Sequence, residues 1–96
     1  MANKPSKYAQ GKSVKPTDMP DLSQNFSAQQ LGLAIMAKRT GMKLSLVDVS
    51  TRLSISKPTL IKIEKGDVNV KLVTVLRVME FLGLSFKVLS DTQGVA

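Results

Sequence analysis

Two helix-start signals, Ser45 and Ser56, stand so close together that only a short helix fits between them. Ser45 is followed three residues later by Asp48, the near-equivalent of a capping box. Asp48 also sits at the positive end of the helix dipole. The spacing predicts a helix from about Leu46 to Leu53, with Val49 and Leu53 turned inward. Ser56 is the next N-cap, and Pro58 falls in the first turn that follows, where a missing N–H costs little. A helix from Lys57 to Lys65 then packs through Leu60 and Ile63 and ends at Gly66.

Helical spacing extends to both sides of this pair. Ser27 can cap a helix reaching about Met42, with Leu31, Ala34, Ile35 and Lys38 on one face and Gly41 near its end. A fourth helix fits about Lys71 to Leu82, with Leu72, Val75, Leu76, Met79 and Leu82 as its buried stripe and Gly83 as its stop. From Leu84 to Ser90 the pattern changes. Apolar and polar residues alternate over the first five positions, which is strand spacing. Phe81 and Phe86 are expected in the core. Residues 1–24 hold three of the four prolines, few large apolar residues and Lys4, Lys7, Lys12 and Lys15, so they are expected to form a flexible basic tail. The expected organisation is that tail, one domain over residues 25–90 and a frayed end at 91–96.

A chain of 96 residues with no cysteine and no histidine has no disulfide, no Cys/His zinc site and no His-based triad. Its seven carboxylates are scattered, and no two sit at a spacing that suggests an acid/base pair. Neither enzymatic activity, a metal nor a cofactor is expected. No stretch approaches the ~18 apolar residues of a membrane-spanning helix, and no apolar run follows the N-terminal lysines to make a secretory signal. The expected location is cytoplasmic, on the nucleoid.

The charge is concentrated. Residues 27–71 carry +5 of the net +7, residues 1–26 carry +2 and residues 72–96 are neutral. A basic central segment suits a polyanion. Two short helices joined by a turn of about three residues make a helix-turn-helix, whose second helix enters the DNA major groove with its N-terminal residues nearest the bases. Here that end reads Ser56-Lys57-Pro58-Thr59. Lys57 and Lys62 lie off the Leu60/Ile63 face and can donate to guanine O6 and N7. Thr59 can offer a hydroxyl or a methyl group. Ordinary solvated lysine is the alternative for both cations.

The segment from about Leu31 to Leu82 resembles the Cro/cI-type (XRE) helix-turn-helix family. The resemblance rests on Arg39, Leu44-Ser45, Val49-Ser50, Ile55-Ser56, the run from Thr59 to Gly66, then Leu72 and Leu82-Gly83-Leu84. It implies a mainly α domain of four to five helices. It also implies a structural ion pair between Arg39 and Glu64. Lys57, Pro58, Thr59 and Lys62 fall where the family reads bases, with Ser56 and Lys65 at the two ends of that helix. Ser45 and Leu46 fall where the family touches phosphate. Two departures stand out. Leu46 occupies a position where many members carry glutamine, and Pro58 has no side-chain donor, so the operator sequence does not carry over.

The C-terminal strand narrows the resemblance. A lone strand has an unpaired edge. The simplest partner is the same strand of a second subunit, antiparallel about a two-fold axis, with Leu84, Phe86 and Val88 on one face. An extended tail without dimer contact is the alternative. A compact helix-turn-helix followed by such a strand resembles HipB-type antitoxins. That implies a homodimer on a palindromic double-stranded operator, autorepression, and a HipA-type kinase toxin as partner. Two other readings stay open: a stand-alone XRE-type repressor, and a protein-interaction module that has lost DNA binding. Recognition of single-stranded RNA relies on stacking aromatics, and the chain has only Tyr8, Phe26, Phe81 and Phe86.

Overall fold

The computed structural model describes residues 14–90. The first thirteen residues of the expected basic tail and the end expected to fray, 91–96, lie outside the described residues. Four helices form: α1 (Ala28–Gly41), α2 (Leu46–Leu53), α3 (Lys57–Glu64) and α4 (Leu72–Leu82). Serine opens three of them. The hydroxyls of Ser27, Ser45 and Ser56 accept from the backbone N–H groups of Gln30, Asp48 and Thr59. At α2 the box is complete, because the Ser45 N–H donates to Asp48 Oδ2 at 2.6 Å.

The helix ends follow from equally local chemistry. Gly66, at φ +80°, turns the chain after α3, and Gly83, at φ +76°, does so after α4. Between α2 and α3 the left-handed residue is Ser54, at φ 56°, a conformation that glycine adopts far more readily. The bend is held by the Ile55 N–H donating to the Ser50 carbonyl at 3.0 Å.

The core lies between the helices. Ile35 of α1, Val49 of α2, Leu60 and Ile63 of α3, and Val75, Val78, Met79 and Leu82 of α4 form one buried cluster. Each such side chain contributes about 1.5–3 kcal/mol relative to exposure. The buried stripe of α4 differs from the sequence expectation. Val78 is fully buried, whereas Leu72 and Leu76 are 65% and 42% exposed. Outside the polar stripe of Thr74, Arg77 and Glu80, α4 is apolar, so its spacing allows more than one buried stripe, and packing on α1 and α2 selects the face centred on Val75, Val78, Met79 and Leu82.

The ends of the domain also differ from the sequence expectation. Residues 84–90 form no strand ladder among the described residues. Leu84 packs against the core. Phe86 is not a core residue: it is half exposed, and its ring sits 5.9 Å from that of Phe26. Phe81 is partly buried against the core, with the Arg52 guanidinium 5.7 Å from its ring centre.

At the other end, the chain before α1 runs back along that helix. The Gln30 side chain donates to the carbonyls of Asp21 and Gln24, and Thr17 bonds to Thr40 in the last turn of α1. Between these ties, the Asp21 carboxylate accepts from the Ser23 hydroxyl, the Ser23 N–H and the Gln24 amide. These bonds, the Ser23 hydroxyl first, hold its pKa below the ordinary carboxylate value.

Candidate nucleic-acid interface

The geometry starts with α1 and α3. Gly32 in the middle of α1 has no side chain, so α3 approaches its backbone: a Cβ there would lie 2.5 Å from the Glu64 carbonyl oxygen. Two turns further along α1, Arg39 grips the same residue by its side chain. Its Nε and Nη2 donate to Glu64 Oε2 and Oε1 at 2.6 and 3.0 Å, and both residues are buried. Arg39 Nη1 also donates to the Leu44 carbonyl at 2.9 Å. One guanidinium therefore ties the end of α3 to both the end of α1 and the approach to α2. A bidentate fork of this kind fixes orientation as well as distance.

With α3 held this way, its inward and outward faces separate. Leu60 and Ile63 are buried, while Lys57, Pro58, Lys62 and Lys65 are exposed. Thr59 is half-buried, and its Oγ1 accepts from the Ser56 hydroxyl at 2.8 Å. This bond fixes the threonine hydroxyl at the helix entrance and leaves its own proton to donate. Pro58 in the first turn removes a backbone donor and leaves an exposed ring.

α2 offers a different kind of contact. In the capping box the Ser45 N–H donates to Asp48 and its hydroxyl oxygen accepts from the Asp48 N–H, which leaves the hydroxyl proton to donate. The N–H groups of Leu46 and Val47 fall in the first turn, where a helix supplies no acceptor, and such groups suit a phosphate oxygen. The Leu46 side chain is half-buried and packs against the core. Its side chain is therefore part of the packing, and the group it has to offer an anion is its first-turn backbone N–H. Lys43, exposed in the turn just before, adds a cation that no helical spacing in the sequence marks.

The profile of the helix-turn-helix family matches residues 35–89, more than half of the chain. The chain belongs to the Cro/cI-type (XRE) helix-turn-helix family. Members of that family bind double-stranded DNA, and the match spans α2, the turn at Ser54 and α3. No curated protein matches the chain.

The remaining expected site residues are not brought together with this surface. Leu84, Phe86 and Val88 follow α4 at the C-terminal end of the domain, with Val88 almost fully exposed. Among the described residues no group of His, Cys, Asp or Glu has an arrangement that could hold a metal, and no helix is long and apolar enough to cross a membrane.

Proposed function

We propose that this protein is a sequence-specific repressor, not an enzyme, that binds a palindromic double-stranded operator as a homodimer. The observation that carries this is the outward face of α3: Lys57, Pro58, Lys62 and Lys65 exposed on a helix whose other face and far end are locked to α1. The α3 N-terminus enters the major groove, where Lys57 donates to guanine and Pro58 packs on a thymine methyl. Lys43 and the first-turn N–H groups of α2 hold the flanking phosphates, which makes affinity salt-dependent. In a dimer the two α3 helices lie about one DNA turn, roughly 34–36 Å, apart.

Dimerisation is assigned to residues 84–90. Their alternation and their unpaired backbone edge favour antiparallel pairing with a second copy. The exposed Leu72, Val73, Leu76, Phe86, Val88 and Leu89 give such a pairing apolar surface to cover. The resemblance of the sequence to HipB-type antitoxins, a helix-turn-helix followed by residues at strand spacing, extends the proposal to an autorepressing antitoxin that holds a HipA-type kinase toxin. A bound dimer would block polymerase and carry the toxin on the operator.

The test is selection of bound sequences from a random duplex pool, followed by footprinting on the recovered site. Two-fold symmetric protection supports a dimeric reader. Recovery of no sequence would reject it, and capture of a kinase-sized partner without any DNA shift would favour an interaction module. DNA binding with no captured partner would leave a stand-alone repressor.

A further inference from the structure

Two arginines join α2 to α4 on the outside of the domain. Arg77 of α4 donates from Nη2 to the carbonyl of Leu53, the last residue of α2, at 2.6 Å. Four positions further along α4, the Phe81 ring lies under the Arg52 guanidinium of α2, its centre 5.7 Å away. The last turn of α2 is thus held at two points about one helical turn apart on α4.

The Arg77 bond closes a helix end. The final carbonyls of a helix have no partners within it. In α2 the Ser50 and Thr51 carbonyls accept from the Ile55 and Ser54 N–H groups of the left-handed turn. The Leu53 carbonyl accepts from α4 instead. A cation there also faces the negative end of the α2 dipole. The turn that aims α3 is therefore tied from outside to the helix that leads into residues 84–90. Beneath these ties α4 meets its neighbours through Val75, Val78, Met79 and Leu82. Apolar packing is non-directional, whereas a guanidinium hydrogen bond fixes orientation.

Small angles matter at this joint. α4 has eleven residues, about 16 Å by the helical rise. A tilt of about 5° would move its far end by about 1.4 Å. In a two-fold dimer joined beyond that end both subunits contribute, about 3 Å in all. Neighbouring base pairs are ~3.4 Å apart. We propose that Arg77 is a positioning residue for DNA recognition: its bond to Leu53 fixes α4 against the helix-turn-helix and so sets the half-site spacing that the dimer accepts. In this role Arg77 acts through α2 and touches neither base nor phosphate. This rests on the dimeric DNA-reading function proposed above.

The test uses the full chain, the selected operator, and operators with one base pair added to or removed from the centre. The parent should lose at least about tenfold in affinity on either altered spacing. Arg77→Met keeps most of the stem and removes the donors. It should bind the selected operator several-fold more weakly and hold the three spacings within about threefold of one another. Its salt dependence should be that of the parent, because no phosphate contact is lost. Arg77 is exposed, so sedimentation and circular dichroism should show a folded dimer. Should Arg77→Met not yield one, Arg77→Gln, too short to reach Leu53, takes its place. Arg77→Lys, which keeps the charge and a donor, should restore part of the spacing preference. A spacing preference unchanged in the folded variant would overturn the positioning role and leave dimeric reading standing. A salt slope reduced by about 0.9 per subunit would also overturn it, by making Arg77 a phosphate contact. A parent that selects no operator, or binds one as a monomer, would overturn this role and the dimeric reading together.

Discussion

Arg39 and Glu64 meet through two parallel hydrogen bonds, with side-chain exposures of 9% and 4%. At that depth the pair acts as a register device more than as a source of net stability. Removing one partner strands a buried charge, whereas replacing both with apolar residues does not. Arg39→Met and Glu64→Leu, made singly, should each cost about 3–5 kcal/mol. The double variant should recover most of that loss. Urea unfolding of the three variants measures the coupling. If the double variant is as unstable as the sum of the singles, the pair is not the unit described.

Gly32 and Gly41 lie in the same helix and should respond in opposite directions to alanine. Helix propensity favours alanine over glycine by about 1 kcal/mol in an open helix position. At Gly41 a Cβ meets nothing within 4 Å, so Gly41→Ala should stabilise by up to that amount. At Gly32 the Cβ would lie 2.5 and 2.7 Å from the carbonyl oxygens of Glu64 and Ile63, backbone atoms that cannot swing away. Gly32→Ala should destabilise by about 1–3 kcal/mol, the usual range for overpacking. Thermal melts of the two variants decide the signs.

Ser54 closes α2 in a left-handed conformation that costs a residue bearing a Cβ roughly 1–2 kcal/mol. Ser54→Gly relieves that cost and adds chain entropy to the unfolded state, so a net gain of up to about 1 kcal/mol is expected. Ser54→Val should lose stability, because a β-branched residue is poorest at positive φ. A loss in the glycine variant as large as in the valine variant would contradict the geometry of the turn.

Phe86→Asp addresses the proposed dimer. Phe86 touches Phe26 within the chain and remains 47% exposed. A charge there should leave the helical core folded and give a monomer by sedimentation, with weakened operator binding. A dimer of unchanged stability would show that subunits meet elsewhere.

The helix-turn-helix was legible because its signals are local and chemical. Ser45, Asp48, Ser56, Pro58 and Gly66 each act within one helical turn, and the helices begin at the residues these caps dictate. Leu60 and Ile63 were readable for a related reason: three residues apart, they share one face of a short helix, and Ile61 between them is only partly buried. In α4 all but Thr74, Arg77 and Glu80 are apolar, so spacing alone does not separate the buried Val78 from the exposed Leu72. Only the neighbouring helices choose the face there. The Thr17–Thr40 and Gln30–Asp21 ties join polar side chains and backbone without any periodic trace in the sequence. Gly32 did leave a signal, an isolated glycine on the inward side of a helical pattern, which marks close backbone approach.

The most direct measurement of the proposed function is the affinity of Lys57→Ala and Lys62→Ala for the selected operator and for unrelated duplex, at several salt concentrations. Both lysines are exposed on α3, away from the Leu60 and Ile63 face, so the fold should be unaffected. If α3 reads the groove, each substitution should cost about 1–3 kcal/mol on the operator. The loss on unrelated duplex should be much smaller, which narrows the specificity ratio. Operator affinity and preference unchanged in both variants would contradict the assignment of α3 as the recognition helix.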